Sequence, residues 1–281
     1  MPRVIASGLG FTEGPVRMRD GRTLVVSVDR GLVYDVSGTS EVVLADLGGG
    51  PNGAAEGLAG VLYVAQNGRG VAGAPNDSGC VQAVQPDGTV TRMAVKVTTP
   101  NDLCFGPDGN LYVTDPSRPV GVGDGRIWRV DVGSGAAALL AEVDWYPNGI
   151  AFGPDPEWLY VADTDGARIV RFPLKGAAGR LGRPKAAVQL RYGRPDGFAF
   201  DMDGNILVAA AVIDGSGHGE VQVWSPKGEL LDVLRPQLGA LCTNVCLDEE
   251  GRLVVTVADQ GAVVEYERAV AGLPLYPFRA G

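Results

Sequence analysis

"PNGIAFGPDPEWLYVADT", residues 147–164, decides the fold. Read once, it is a Pro-Asn-Gly turn leading into two short runs that alternate apolar and polar residues, which is the pattern of half-buried strands. Nearly the same phrase returns along the chain. It stands as "TEGPVRMRDGRTLVVSVD" from Thr12, "PNGAAEGLAGVLYVAQN" from Pro51, "PNDLCFGPDGNLYVTDP" from Pro100, "PDGFAFDMDGNILVAAA" from Pro195 and "TNVCLDEEGRLVVTVAD" from Thr243. The leading polar residues are Glu13, Asn52, Asn101, Asn148, Asp196 and Asn244, at successive separations of 39, 49, 47, 48 and 48 residues. A near-constant period of this size marks a repeat architecture.

Within the fourth unit "GIAFG", "LYVAD", "RIVRFPL" and "AAVQLRY" read as four strands, and "PDG" or "DEEG" supplies the first hairpin turn elsewhere. Four antiparallel strands in about 48 residues is one propeller blade, so six units predict an all-β, six-bladed β-propeller. The whole chain, 1–281, is then a single domain. Closure of the ring predicts that "RVIAS" near the N-terminus pairs with the last blade, because closure removes an exposed strand edge.

Composition narrows the function. The chain carries 24 basic and 33 acidic residues, net charge -9, with no Lys/Arg-rich run, which argues against nucleic acid or an anionic membrane as partner. The start "MPRVIASGLGF" has no apolar signal-peptide core and no apolar run is long enough to span a bilayer, so a cytoplasmic protein is expected. Cys80, Cys104, Cys242 and Cys246 show no zinc-type spacing and read as small buried thiols. The lone histidine, His218, lies in the glycine-rich "DGSGHGE", and no G-x-S-x-G elbow, P-loop or dinucleotide fingerprint occurs.

In a propeller the first strand of each blade lines the central channel, so the six leading polar residues converge near one mouth. Two carboxylates and four amides make an all-oxygen set that suits a hard divalent cation, calcium first, with magnesium or manganese in a tighter cage. A purely structural cation tying the blades together has the same ligand requirement. The loops on that face, "NGRGVAGAPNDSG", "PSRPVGVGDG" and "VIDGSGHG", together with Thr99, Arg118, Trp145, Tyr146, Arg191, Tyr192 and Arg194, are placed to wall a small-molecule pocket. The chemistry left open is attack of water on a polarised carbonyl or phosphoryl group, with Asp196 as the base.

At "TEGP", "PNDLCFGPDGNLYVTDP", "PNGIAFGPD" and "RPDGFAFDMDGNILVA" the chain resembles the SMP-30/gluconolactonase/LRE-like family of calcium-dependent six-bladed propellers, over essentially its full length. The resemblance implies metal ligands at Glu13, Asn148 and Asp196, with Asn101 completing the sphere or contacting substrate, and an acid/base role for Asp196. It implies a hydrolase that opens a small lactone to a hydroxy acid, with a lactone as small-molecule partner and zinc or ferrous iron as further cation candidates. Many sugar lactonases of the family carry an arginine two positions before the third-blade asparagine, where this chain has Thr99. A less polar lactone therefore stays open. So do a phosphotriester hydrolase using the same cation and a non-catalytic binding propeller.

Overall fold

The computed structural model describes residues 2–68, 79–93, 96–116, 123–175 and 180–279. Six antiparallel sheets make up nearly all of it. Their innermost strands are Thr12–Arg17, Pro51–Glu56, Leu103–Phe105, Pro147–Phe152, Arg194–Phe200 and Cys242–Leu247, and three further strands follow outward in each blade. Each innermost strand touches the innermost strand of both neighbouring blades, and the sixth touches the first, which closes the ring. The last blade is completed by the N-terminus: Arg3–Ala6 pairs antiparallel with Ala262–Glu267, Arg3 opposite Glu265. Among the described residues helix is limited to two 3₁₀ turns, Leu58–Gly60 and Ala258–Gln260, and no helix is long and apolar enough to cross a membrane.

Strand alternation explains the core. In the second strand of the fourth blade, Trp158–Asp163, Leu159 and Val161 pack toward the third blade, whereas Tyr160 and Ala162 pack toward the fifth. Period-two side chains thus fill both gaps beside a blade. The hydrophobic core is a set of radial layers between blades rather than one central mass. The fourth blade departs from the expected four strands: its third strand runs Arg168–Lys175 and forms a small extra hairpin with Arg180–Leu181 before Lys185–Gln189 takes the outer position.

The repeated Pro-Asn-Gly is not a turn before the strand. It is a β-bulge inside it. Pro147 lies opposite Asp163 and Ile150 opposite Val161, so three residues on one side span two on the other. The same slip falls between Pro51 and Ala54, Pro195 and Phe198, and Glu13 and Val16. A bulge re-aims the extra side chain out of the ladder. Here it turns Asn52, Asn148 and Asp196 out of the ladder, whereas Glu13 stays paired with Val26 just ahead of its bulge and Asn101 precedes a strand that pairs in continuous register.

Candidate metal centre

The starts of the inner strands bring Glu13, Asn52, Asn101, Asn148 and Asp196 to one end of the channel. Glu13, Asn52, Asn101 and Asn148 are buried, and Asp196 is partly open. Hydroxyls hold the bulged backbones: Thr114 Oγ1 donates to the Asn148 carbonyl at 2.8 Å and Thr164 Oγ1 to the Pro195 carbonyl at 2.8 Å, each from the preceding blade. The Glu13 carboxylate accepts from its neighbour Gly14 N at 3.1 Å and from Asn244 Nδ2 at 3.2 Å.

Asn101 is the informative member. Its Nδ2 donates to the Tyr146 hydroxyl at 3.4 Å, which fixes the amide plane, and its Oδ1 is buried with no hydrogen-bond donor. A buried oxygen left without a partner costs about 1–3 kcal/mol. A hard cation drawing on the same ring would satisfy it. Among the described residues no group of three or more His, Cys, Asp and Glu gathers to hold a metal. Any ion here must therefore rely on amide oxygens beside two carboxylates, a set that favours calcium-like cations over thiophilic ones.

The sixth blade breaks the phase. Cys242 lies opposite Val257 and Val245 opposite Val255, which puts Thr243 at the position of the ring asparagines and Asn244 one residue further in, level with Gly149 and Asp102. Thr243 Oγ1 donates to the Thr12 carbonyl or pairs with Thr256 rather than serving the ring. Asn244 instead plugs the axis with Asp102, which comes from the diametrically opposite blade. Gly53 and Gly197 make room: a Cβ on Gly53 would fall 1.9 Å from Asp102 Oδ1, and one on Gly197 1.9 Å from Asn244 Oδ1. Burial pushes the Asp102 carboxyl up to about 7, against the Leu103 and Ile150 N–H groups and the Asn244 amide, which pull it down.

Beyond this plug the channel widens, away from the ring, into a cavity of about 350 Å³ walled by Phe105, Phe152 and Phe200 and covered by Tyr276 and Arg279 of the C-terminal segment. The cavity and the ring open at opposite mouths. None of the five ring residues lines that cavity.

The flanking residues divide. Thr99 is turned away from the axis, its N–H and hydroxyl spent on Asp115 and the Pro116 carbonyl. Trp145 is buried and stacks on Phe172 with centroids 6.5 Å apart, in the layer between blades. Tyr146 faces the ring through its hydroxyl, and its N–H donates to Asp165 Oδ2 at 2.8 Å. Arg118 and most of the loops over residues 67–79 and 116–125 lie outside the described residues. Sequence reasoning missed Asp102 and misplaced Asn244. The signal was present: aligned on Phe105 and Leu247, the phrases show Asp102 and Asn244 where the four other blades have glycine, Gly14, Gly53, Gly149 and Gly197.

Comparison with known proteins agrees with this architecture. The family model described as SMP-30/Gluconolactonase/LRE-like region matches residues 11–266. A gluconolactonase of Zymomonas mobilis is 27% identical over 92% of this chain and 79% of its own length. A 6-deoxy-6-sulfogluconolactonase of Pseudomonas putida is 33% identical over 48% of this chain and 45% of its own. Among solved structures, a calcium-binding protein, regucalcin, from Agrobacterium tumefaciens superposes with a TM-score of 0.81, covering 99% of this chain and 98% of that one at 21% identity, a likeness of fold.

Proposed function

The chain belongs to the SMP-30/gluconolactonase/LRE-like family, and from that premise we propose that it is a divalent-metal-dependent lactone hydrolase, opening a sugar or related small lactone to its hydroxy acid. The observation that carries the reading is the buried, donorless Asn101 Oδ1 in a ring with the Glu13 carboxylate. Glu13, Asn101, Asn148 and Asp196 would hold the cation, calcium by the chemistry of the donors. When bound, such an ion supplies Lewis acidity to the substrate carbonyl.

The protein's own residues do the rest. Glu13 is sealed at 3% exposure and bonded to Asn244, which suits a fixed anionic ligand. Asp196 is the partly exposed carboxylate of the ring, so it is the one an incoming water can reach. In the proposed reaction Asp196 takes a proton from water as the water oxygen bonds to the carbonyl carbon. It returns that proton to the ring oxygen as the acyl–oxygen bond breaks. Tyr146 orients Asn101 throughout.

The test is turnover of a lactone panel and an organophosphate panel by protein stripped with chelator, with calcium, magnesium, manganese, zinc and ferrous iron restored one at a time, beside Asp196→Asn. Metal-restored lactone opening that the variant lacks by about 10²–10⁴-fold supports the reading. Turnover of the phosphotriesters alone moves the chemistry to P=O, and no turnover of either leaves a binding propeller.

A further inference from the structure

The register of the blades sets three side chains in equivalent places over the ring. Thr99, Tyr146 and Arg194 each stand two positions before their ring residue, Asn101, Asn148 and Asp196. Thr99 is spent on its own blade and Tyr146 reaches Asn101. Arg194 crosses the seam to the fourth blade, where Nη1 donates to the Asp165 carbonyl at 2.5 Å and is 3.4 Å from the Thr164 carbonyl. Those two neutral carbonyls fix the plane of the guanidinium and occupy one nitrogen. Nε and Nη2 make no hydrogen bond among the described residues and are left for a ligand.

Its charge is also left over. It has no ion-pair partner among the described residues: the Asp165 carboxylate accepts from the neutral Tyr146 N–H, and Asp163 pairs with Arg168 at 2.7 Å. Among the described residues no carboxylate lies within ion-pair distance of Arg194 or of Arg191 three residues before it. Both arginines are exposed, Arg191 on the connection into the fifth blade and Arg194 at the first position of its inner strand. Between them Tyr192 is pinned, its hydroxyl donating to the His218 carbonyl at 3.0 Å. A protein of net charge -9 thus presents two cations without an ion-pair partner close to Asp196. A planar guanidinium held by one edge binds an anion with the other.

We propose that Arg194 is a specificity-determining residue that binds an anionic substituent of the substrate, a carboxylate, sulfonate or phosphate carried on the lactone away from its carbonyl. The inference rests on the lactonase reading for the identity of the ring but not for the existence of the anion subsite. With the reacting carbonyl at the axis, a substituent directed across the seam between the fourth and fifth blades arrives at the free edge of Arg194, with Arg191 adding charge from the rim.

The experiment compares metal-restored wild type with Arg194→Gln and Arg194→Lys on glucono-1,5-lactone and on its 6-phosphate, 6-deoxy-6-sulfonate and 6-carboxylate counterparts. Loss of a charge-assisted pair predicts a roughly 10–100-fold drop in kcat/KM for the anionic lactones, carried by KM and eased by added salt, with the neutral lactone changed by less than about threefold. Lys restores part of the loss because charge returns without the fork. Equal losses on neutral and anionic lactones would reduce Arg194 to a strut between blades, and no loss on either would remove it from the site; both overturn the proposal. Calorimetric binding of the corresponding hydroxy acids separates the two readings. Arg194-dependent affinity for the anionic acids without lactone turnover keeps the subsite and drops the lactonase, whereas affinity indifferent to Arg194 overturns the subsite whatever the turnover.

Discussion

Gly149→Ala puts the closeness of the inner strands to the test. The added Cβ would sit 2.5 Å from the Asp196 carbonyl oxygen, 2.9 Å from the Gly197 Cα and 3.1 Å from the Phe198 ring. Two of these are main-chain atoms of the neighbouring inner strand, whose own bulge is tied by Thr164. They cannot swing aside as a side chain would. Overpacking of this kind costs ~1–3 kcal/mol, and backbone contacts place it at the upper end. An unfolding entropy of ~2.1 cal/mol/K per residue over 281 residues gives about 0.6 kcal/mol/K, so a cost of ~3 kcal/mol lowers the melting temperature by roughly 5 °C. Gly133→Ala is the control, because its Cβ would meet only Asp131 Oδ1 at 3.5 Å, an ordinary contact. Restricting the unfolded chain there should raise Tm by about 1 °C. Calorimetric melts of both variants without metal measure the difference. A Gly149→Ala melt within about 1 °C of the control would refute the close approach of the fourth and fifth blades at the axis.

Deleting residues 1–6 strips the strand paired with Ala262–Glu267 and exposes that edge, so a Tm lower by more than about 10 °C or concentration-dependent self-association is expected in melts and size-exclusion runs. Asn101→Leu removes a buried oxygen that has no donor, so metal-free stability should hold within ~1 kcal/mol while the rise in Tm on adding calcium shrinks. Burial raises the Cys104 thiol well above its ordinary value, Cys242 to about 12 and Cys246 to about 11. The thiolate forms only as pH climbs toward those values, so at pH 8 iodoacetamide should leave these three untouched in the native protein and label them in denaturant, as read by intact-mass spectrometry.

The six-blade architecture was legible because each blade repeats the same apolar alternation, and an alternation repeated at one period leaves strand phase little freedom. The bulge was not. Pro-Asn-Gly supports a tight turn and a bulge equally well, and only pairing across Pro147 and Ile150 separates them. The same ambiguity hid the slip in the sixth blade, where "TN" resembles "PN" although the apolar residues that follow place Thr243 in the ring position. The Asp102–Asn244 plug depends on contacts across the axis between residues 142 apart, which no local pattern records. Trp145 shows the reverse limit: an aromatic beside a ring residue looks like a pocket wall, yet Phe172 draws it into the seam. The C-terminal segment was silent in sequence because its fit comes from Tyr276 and Leu273 packing against blades laid down earlier.

The proposed hydrolysis depends on one cation in the Glu13, Asn101, Asn148 and Asp196 ring. The most direct test titrates chelator-stripped protein with calcium while lactone opening is followed in the same samples, for wild type and Glu13→Gln. One ion per chain is expected, with turnover rising in proportion to occupancy and affinity weakened at least tenfold in the variant. Undiminished turnover in stripped protein, or calcium binding indifferent to Glu13→Gln, would contradict it.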